Sequence, residues 1–290
     1  MSSPKKFEPA WRENPPADKS YRSIFKWGAP DGFKHPNHKL FEEIKSVLGM
    51  TDSEFRNPVT EGDEPVQQKS APQLTKKNLA ALARISGSDN ISIDPFQRVK
   101  YSHGKTMEEA INLRKGRTGR VTDAVVHPRN KKEIHDIISY CNRNKIPVYI
   151  YGGGSSVNMG LRPSKGGITL VMNTHMNRII ELNETDQTVT VQAGIMGPAL
   201  EASLNKAKNE FKTEHNYTCG HFPQSFEYSS AGGWVVTLGS GQSSSYYGDA
   251  CDLVISQEYI TPAGSFKTHA YPGTATGPRV NDIMKGNEGT

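Results

Sequence analysis

The chain has 290 residues, a formal net charge of +5, 34% apolar and 22% charged residues, 27 glycines and 18 prolines, which suits one large domain or two medium ones and excludes a wholly disordered chain. No apolar stretch approaches the ~20 residues of a bilayer-crossing helix, and MSSPKKFEPAWRENPP at the start lacks the apolar centre of a signal peptide. Lys and Arg are spread along the chain without aromatic interleaving, which argues against nucleic-acid binding; a cytoplasmic location is expected, with an anionic ligand or a peripheral membrane contact left open.

In chain order, residues 1–20 are polar and proline-containing. The segment 40–50 predicts a helix with Phe41, Ile44 and Leu48 on one face and Gly49 as its C-terminal cap. His35 and His38 lie nearby without a third ligand, so no metal site is expected. Residues 51–73 read as a linker or long loop, and LTKKNLAALARI (74–85) as a second amphipathic helix. Residues 86–117 give no clear pattern except a short helix in TMEEAINLRKG.

The texture changes near Val121. VTDAVVHP reads as a strand stopped by proline, and Asn130 with Glu133 forms a capping-box pattern ahead of Ile134, Ile137, Ile138 and Cys141 on one helix face. IPVYIY is a second strand, followed by ITLVMN, NRIIELN and TVTVQAG, and then a helix with Pro198 in its first turn and Leu200 and Leu204 on one face. Cys141, Cys219 and Cys251 are far apart and fit reduced thiols. An α+β or α/β domain is expected.

Three glycine-rich segments follow these elements: Gly152-Gly153-Gly154-Ser155-Ser156, PQSFEYSSAGGWVVTLGSGQ (223–242), and GNEGT at the end. Neither of the first two leads into the Lys-Ser/Thr of a P-loop. Gly152 and Gly154 match two glycines of a dinucleotide GxGxxG, but Val157 occupies the third position and LRPSKGG is a poor helix. Two readings stand. Each segment is a turn that ends a strand, or successive N–H groups and serine hydroxyls converge on one pyrophosphate.

The succession YGGGSSVNMG, PQSFEYSSAGGWVVT, YYGDACDLV, ITPAG and GNEGT resembles the FAD-binding domain of the vanillyl-alcohol-oxidase (PCMH-type) flavoproteins. GHFPQSFEYSSAGGW is the most specific part. FKWG (25–28), RVKYSHG (98–104) and LRKG (113–116) resemble the alkyldihydroxyacetonephosphate synthase branch and its bacterial FAD-linked oxidase relatives. The resemblance implies an α+β fold, a PCMH-type FAD-binding domain of two α/β subdomains over 118–290, preceded by a mainly helical region over 1–117. It places FAD on Gly152, Gly153, Gly154, Ser155 and Ser156, with Gln224, Ser225, Ser229 and Ser230 as a second wall. Gly232 and Gly233 would allow close approach, Thr237 and Ser240 would lie by the ribityl or diphosphate region, and Glu288, Gly289 and Thr290 would begin a third segment. Relatives that bond flavin at the first loop use a histidine where this chain has Gly154, so a noncovalent cofactor is implied. Where the family often has Thr-Arg after Gly-Gly-Trp, this chain has Thr237-Leu238, which removes a guanidinium contact.

In the family GNEGT runs on into a strand and a substrate-binding cap, so a fragment without its cap domain, inactive by itself, is expected, and no catalytic acid or base is named. Three functions follow from the resemblance. One is an ether-lipid synthase-type flavoenzyme acting at flavin N5 on a small hydroxylated or acylated substrate, phosphorylated or lipid-like; another is an FAD-linked oxidase or dehydrogenase of a D-2-hydroxy acid or alcohol. The third is a flavin-binding fragment without turnover, and a homodimer is left open. His221 reads first as a hydrogen-bonded structural histidine and Glu227 as a buried carboxylate. Trp234 is expected under the cradle and Tyr246 and Tyr247 by the ring or in the core; His103 has no assigned role.

Overall fold

The computed structural model describes residues 7–9, 11–56, 60–271, 275 and 277–289. Its principal helices are α1 (Tyr21–Phe25), α2 (His38–Leu48), α3 (Lys76–Ser86), α4 (Pro95–Lys100), α5 (Met107–Arg114), α6 (Lys131–Asn144), α7 (Gly197–Leu204) and α8 (Ala231–Val236). The strands are β1 (Ile91–Ser92), β2 (Ala124–Val126), β3 (Val148–Tyr151), β4 (Ile168–Val171), β5 (Ile179–Asn183), β6 (Thr188–Val191), β7 (Glu258–Thr261) and β8 (Gly264–Lys267).

A four-stranded sheet in the order β1-β2-β4-β3 carries the architecture, with β2, β4 and β3 parallel and β1 antiparallel at one edge. Parallel strands need long crossovers. The β2–β3 crossover is α6, whose Ile134, Ile137, Ile138 and Cys141 pack with Ala124, Val126, Ile168 and Leu170. The β3–β4 crossover is the helix-free stretch 152–167, which leaves the carboxyl edge of the sheet.

Local chemistry sets these boundaries. The Asn130 side chain accepts the Glu133 N–H at 3.0 Å, while the Glu133 carboxylate reaches the Arg129 N–H at 2.8 Å instead of completing the expected reciprocal box. Thr106 and Glu109 do form a reciprocal box at the start of α5. The helix over 38–48 begins three residues after His35, which stacks on Trp11 at 5.1 Å. The predicted linker 51–73 holds a short helix, Asp52–Arg56, and a bridge from Pro65 to Ser20; residues 57–59 of it lie outside the described residues.

Three further clusters adjoin this core. Tyr21, Ile24 and Phe25 of α1 meet Val99, Leu113 and Val121. Val125 and Val171 of the sheet meet Tyr101, Tyr151 and Leu161. The β5–β6 hairpin, α7 and α8 enclose Ile195, Leu200, Leu204 and Trp234. The β7–β8 hairpin lies against α6, with Ile260 packed on the sheet core and Lys131 paired to Glu258 at 2.6 Å. Among the described residues no helix is long and apolar enough to cross a membrane.

Leu170 is fully buried where α6 meets the sheet. Leu170→Ala is expected to lower stability by about 2–5 kcal/mol, read as a lower urea midpoint with an unchanged slope.

Candidate functional site

The first glycine segment leaves the end of β3 and immediately meets the second. A side chain at Gly153 would run into the Tyr228 carbonyl oxygen, and one at Gly152 into the Ser230 hydroxyl. Gly154 has φ +73°, and its α-carbon sits over the Tyr151 phenol, so both conformation and space demand glycine. The glycines are therefore required by contact with the protein's own second segment. The N–H groups of Gly153, Gly154, Ser155 and Ser156 donate to no acceptor among the described residues, although Gly154 is buried.

The second segment is held from behind. Ala231, Gly232 and Gly233 donate their N–H groups to the Ile195 carbonyl (2.9 Å), the Ala193 carbonyl (2.8 Å) and the Ser230 hydroxyl (3.3 Å). What approaches Gly232 closely is Ala193. The start of α8 is thus fully engaged by protein. The Ser229 hydroxyl accepts the Trp234 indole N–H at 2.6 Å, the Thr237 hydroxyl donates to the Gly233 carbonyl at 2.8 Å, and Ser240 is bonded to the Asp249 carboxylate. Gln224, Ser225 and Ser155 have no side-chain partner among the described residues.

The third segment closes on both. Gly286 and Glu288 donate their N–H groups to the carbonyls of Val235 and Val236 at 3.3 and 3.0 Å. The Glu288 carboxylate accepts from the Asn158 amide, whose oxygen in turn accepts from the Ser156 hydroxyl at 2.7 Å and the Gly160 N–H at 3.0 Å. A side chain added at Gly289 would touch Ile150; Thr290 lies outside the described residues. Met159, Leu238 and Glu288, in or just after the three segments, adopt φ of 64°, 52° and 49° without being glycine, as do Lys19, Lys145, Gln187 and Lys212 elsewhere among the described residues.

The FAD binding domain family matches residues 122–269. The chain belongs to that family. Its cofactor is FAD, and its fold is that of the PCMH-type FAD-binding domains. It is 33% identical over 232 residues to an alkyldihydroxyacetonephosphate synthase of Caenorhabditis elegans, a match spanning 79% of this chain and 36% of the relative. It is 30% identical to a mitochondrial D-lactate dehydrogenase [cytochrome] of Arabidopsis thaliana, over 78% of this chain and 37% of the relative. A solved alkyldihydroxyacetonephosphate synthase structure superposes with a TM-score of 0.70 at 27% identity, covering 77% of this chain and 39% of that one. The chain thus spans less than half the length of each of these relatives.

The residues present fit the FAD diphosphate. Successive N–H groups without acceptors form an anion-receiving backbone at the carboxyl edge of a parallel sheet, where open α/β folds place ligands. The flanking segments also leave polar atoms unanswered. His221 is 3% exposed, yet neither ring nitrogen has a partner among the described residues, unlike the hydrogen-bonded histidine expected from the sequence, and burial lowers its pKa. It sits edge-on to Trp234 at 5.0 Å. The Tyr228 hydroxyl is likewise buried and unpartnered. Glu227 is exposed, not buried as expected, because Phe226 takes the inward place of that turn against Trp234. Trp234 is buried as expected, whereas Tyr246 is 84% exposed and Tyr247 48%. The His103 ring bonds the Val99 carbonyl at 2.8 Å, a packing role at the end of α4.

Sequence reading missed the layer beneath the loop. The rings of Tyr151 and Tyr101 meet edge-to-face at 4.8 Å, and Tyr101 meets His127 at 5.6 Å. His127 stands at the end of β2, hydrogen-bonded to the Thr174 hydroxyl at 2.7 Å. Burial first, then His175 and Lys100, bring its pKa down to about 4.

Two outcomes are expected. Gly153→Ala should push the loop off Tyr228 and weaken FAD binding at least about tenfold, about 1.4 kcal/mol, measured by flavin fluorescence titration. The unfolded chain titrates its histidine near the ordinary value of about 6.5, whereas folded His127 resists protonation until about 4. Its contribution to stability is therefore complete above that ordinary value and lost as pH falls toward about 4; His127→Gln should flatten this part of the stability–pH profile in denaturant titrations.

Proposed function

We propose that this chain is the FAD-holding part of an enzyme of the alkyldihydroxyacetonephosphate synthase type. In this reading the amides of Gly152, Gly153, Gly154, Ser155 and Ser156 hold the diphosphate without a covalent bond. Gln224, Ser225, Ser229, Ser230, Gly232, Gly233, Thr237 and Ser240 form the second wall, and Glu288, Gly289 and Thr290 the third. Residues 118–290 are the FAD-binding unit and 1–117 brace it. The observation that carries the reading is the run of acceptor-free amides at 153–156, closed in by two more segments, in a chain that superposes on a solved synthase over 77% of its length.

When bound, flavin supplies the electron-accepting centre at N5 to which a substrate carbon is presented. The chain's own residues bind and orient. Backbone N–H groups meet the diphosphate charge, and the Asn158–Glu288 link keeps the first and third segments together. The substrate would be a small hydroxylated or acylated molecule, with an acyl-for-alcohol exchange as the net reaction.

Leu238 favours a second reading. It is 49% exposed and lies against Gly286 in the place where synthase-type sequences often carry arginine. Losing that cation weakens the argument for a phosphorylated substrate and suits oxidation of a D-2-hydroxy acid, in line with the D-lactate dehydrogenase likeness.

Purified protein should carry the absorbance of noncovalent flavin, released by acid or heat denaturation. The complete reading frame should then be assayed for acyl-to-alkyl exchange and for anaerobic bleaching by D-2-hydroxy acids. Exchange without bleaching supports the first reading, and bleaching without exchange the second. Flavin binding with neither reaction leaves a carrier without turnover, and a folded, colourless protein sinks all three.

A further inference from the structure

One segment of the N-terminal region touches the proposed FAD loop directly. The Lys105 N–H donates to the Ser156 carbonyl at 2.7 Å, and a side chain at Gly104 would collide with that same oxygen. The 103–109 stretch is itself rigid: Glu109 accepts the Gly104 N–H at 2.9 Å and the Thr106 N–H at 3.1 Å. The Lys105 side chain turns the other way. Its ammonium donates to the carbonyls of Ile24 and Lys26, the latter at 3.0 Å, and lies 5.5 Å from the centre of the Tyr228 ring. Trp27 packs edge-on against that ring at 5.0 Å. Tyr228 is the residue whose carbonyl the Gly153 backbone rests on.

We propose that Lys105 is a positioning residue for FAD, tying the 24–27 segment, the 152–156 loop and Tyr228 into the geometry that presents the loop amides. It touches no reacting atom. Its effect passes through the loop at Ser156 and through the second wall at Tyr228. The inference rests on the reading that the 152–156 loop holds FAD.

Electrostatics supports the geometry. Burial first, then Lys100 and Lys26, lower the Lys105 pKa to about 8, with Glu109 opposing them. The charged and titratable groups that face it are Lys26, Lys100, Glu109 and Tyr228. A neutral amine still donates to the two carbonyls but loses its attraction to the Tyr228 ring, so the tie should loosen above about pH 8.

The test compares the full chain with Lys105→Met and Lys105→Arg. In protein without flavin, Lys105→Met should speed hydrogen exchange of the 153–156 amides, and it should weaken FAD binding about tenfold, the size expected for losing charge-assisted hydrogen bonds. Lys105→Arg, which keeps charge and donors, should restore affinity to within about threefold. Wild-type affinity should fall between pH 7 and 9.5, and that of Lys105→Arg should not. Wild-type exchange and affinity in Lys105→Met, or a flat wild-type pH profile, would overturn the proposal. If Lys105→Met does not fold, Tyr228→Leu is compared with Tyr228→Phe, which keeps the ring and removes only the hydroxyl; binding about threefold weaker in Leu than in Phe supports the proposal and equal binding overturns it. Failure of the FAD-loop reading looks different: FAD would bind Gly153→Ala as tightly as wild type.

Discussion

The contact on which the site depends is the glycine backbone against the second segment, where Gly153 presses on the main chain of Tyr228 and Ser229 and Gly152 on the Ser230 side chain. No side chain on the glycine side fits in that seam. Because the two segments belong to different layers, one leaving the parallel sheet and the other joined to the β5–β6 side, the seam fixes the relation between the layers. Each partner is made stiff behind the contact. Tyr151 supports the first from below, and the carbonyls of Ala193 and Ile195 grip the second through the amides of Gly232 and Ala231. A diphosphate bound by unaided amides needs such stiffness, since amides that must reorganise lose the advantage of preorganisation.

This division of labour explains why several polar residues near the site face inward. Ser229 answers the Trp234 indole, and Ser230 caps α8. Thr237 closes the end of the same helix. A dipeptide such as Ser229-Ser230 reads in sequence as ligand chemistry, but much of its work is to hold α8 and the seam in place. Acceptor-free backbone donors lie in the first loop instead, and Gln224 and Ser225 of the second segment have no side-chain partner among the described residues.

Legibility in the sequence followed the range of the interactions. The helix over 131–144 and the strands on both sides of it were readable because an Asn cap and a run of isoleucines are local signals. So was the presence of three cooperating glycine segments, through their resemblance to a known family. The reason for each glycine was not readable. The resemblance implies cofactor approach at Gly153 and Gly232; what a side chain there would also meet is Tyr228 and Ala193, far away in sequence. Lys105 carried no local signal either: its partners at Ile24, Ser156 and Tyr228 meet only once the chain has folded. The short helix Ala231–Val236 was hidden by its two glycines, which propensity counts against a helix while tertiary contacts hold it in place.

The choice of backbone over side-chain cations has a chemical consequence. Peptide N–H groups do not titrate, so any pH dependence of anion binding at such a loop enters through the groups that position it. A guanidinium at position 238 would add long-range attraction and a fork-shaped contact for a second anionic group; Leu238 gives neither, and it occupies a left-handed conformation that costs a leucine about 1 kcal/mol. That strain is tolerated because the turn at 238 carries Gly239 back to the Trp234 carbonyl at 2.8 Å and offers Gly286 a surface to pack on. The backbone path through this turn is therefore fixed by packing, and the half-exposed Leu238 side chain takes part in it against Gly286. In the proposed function, cofactor holding and substrate choice are separable: the seam and its amides would serve the first, and half-exposed positions such as Leu238 the second.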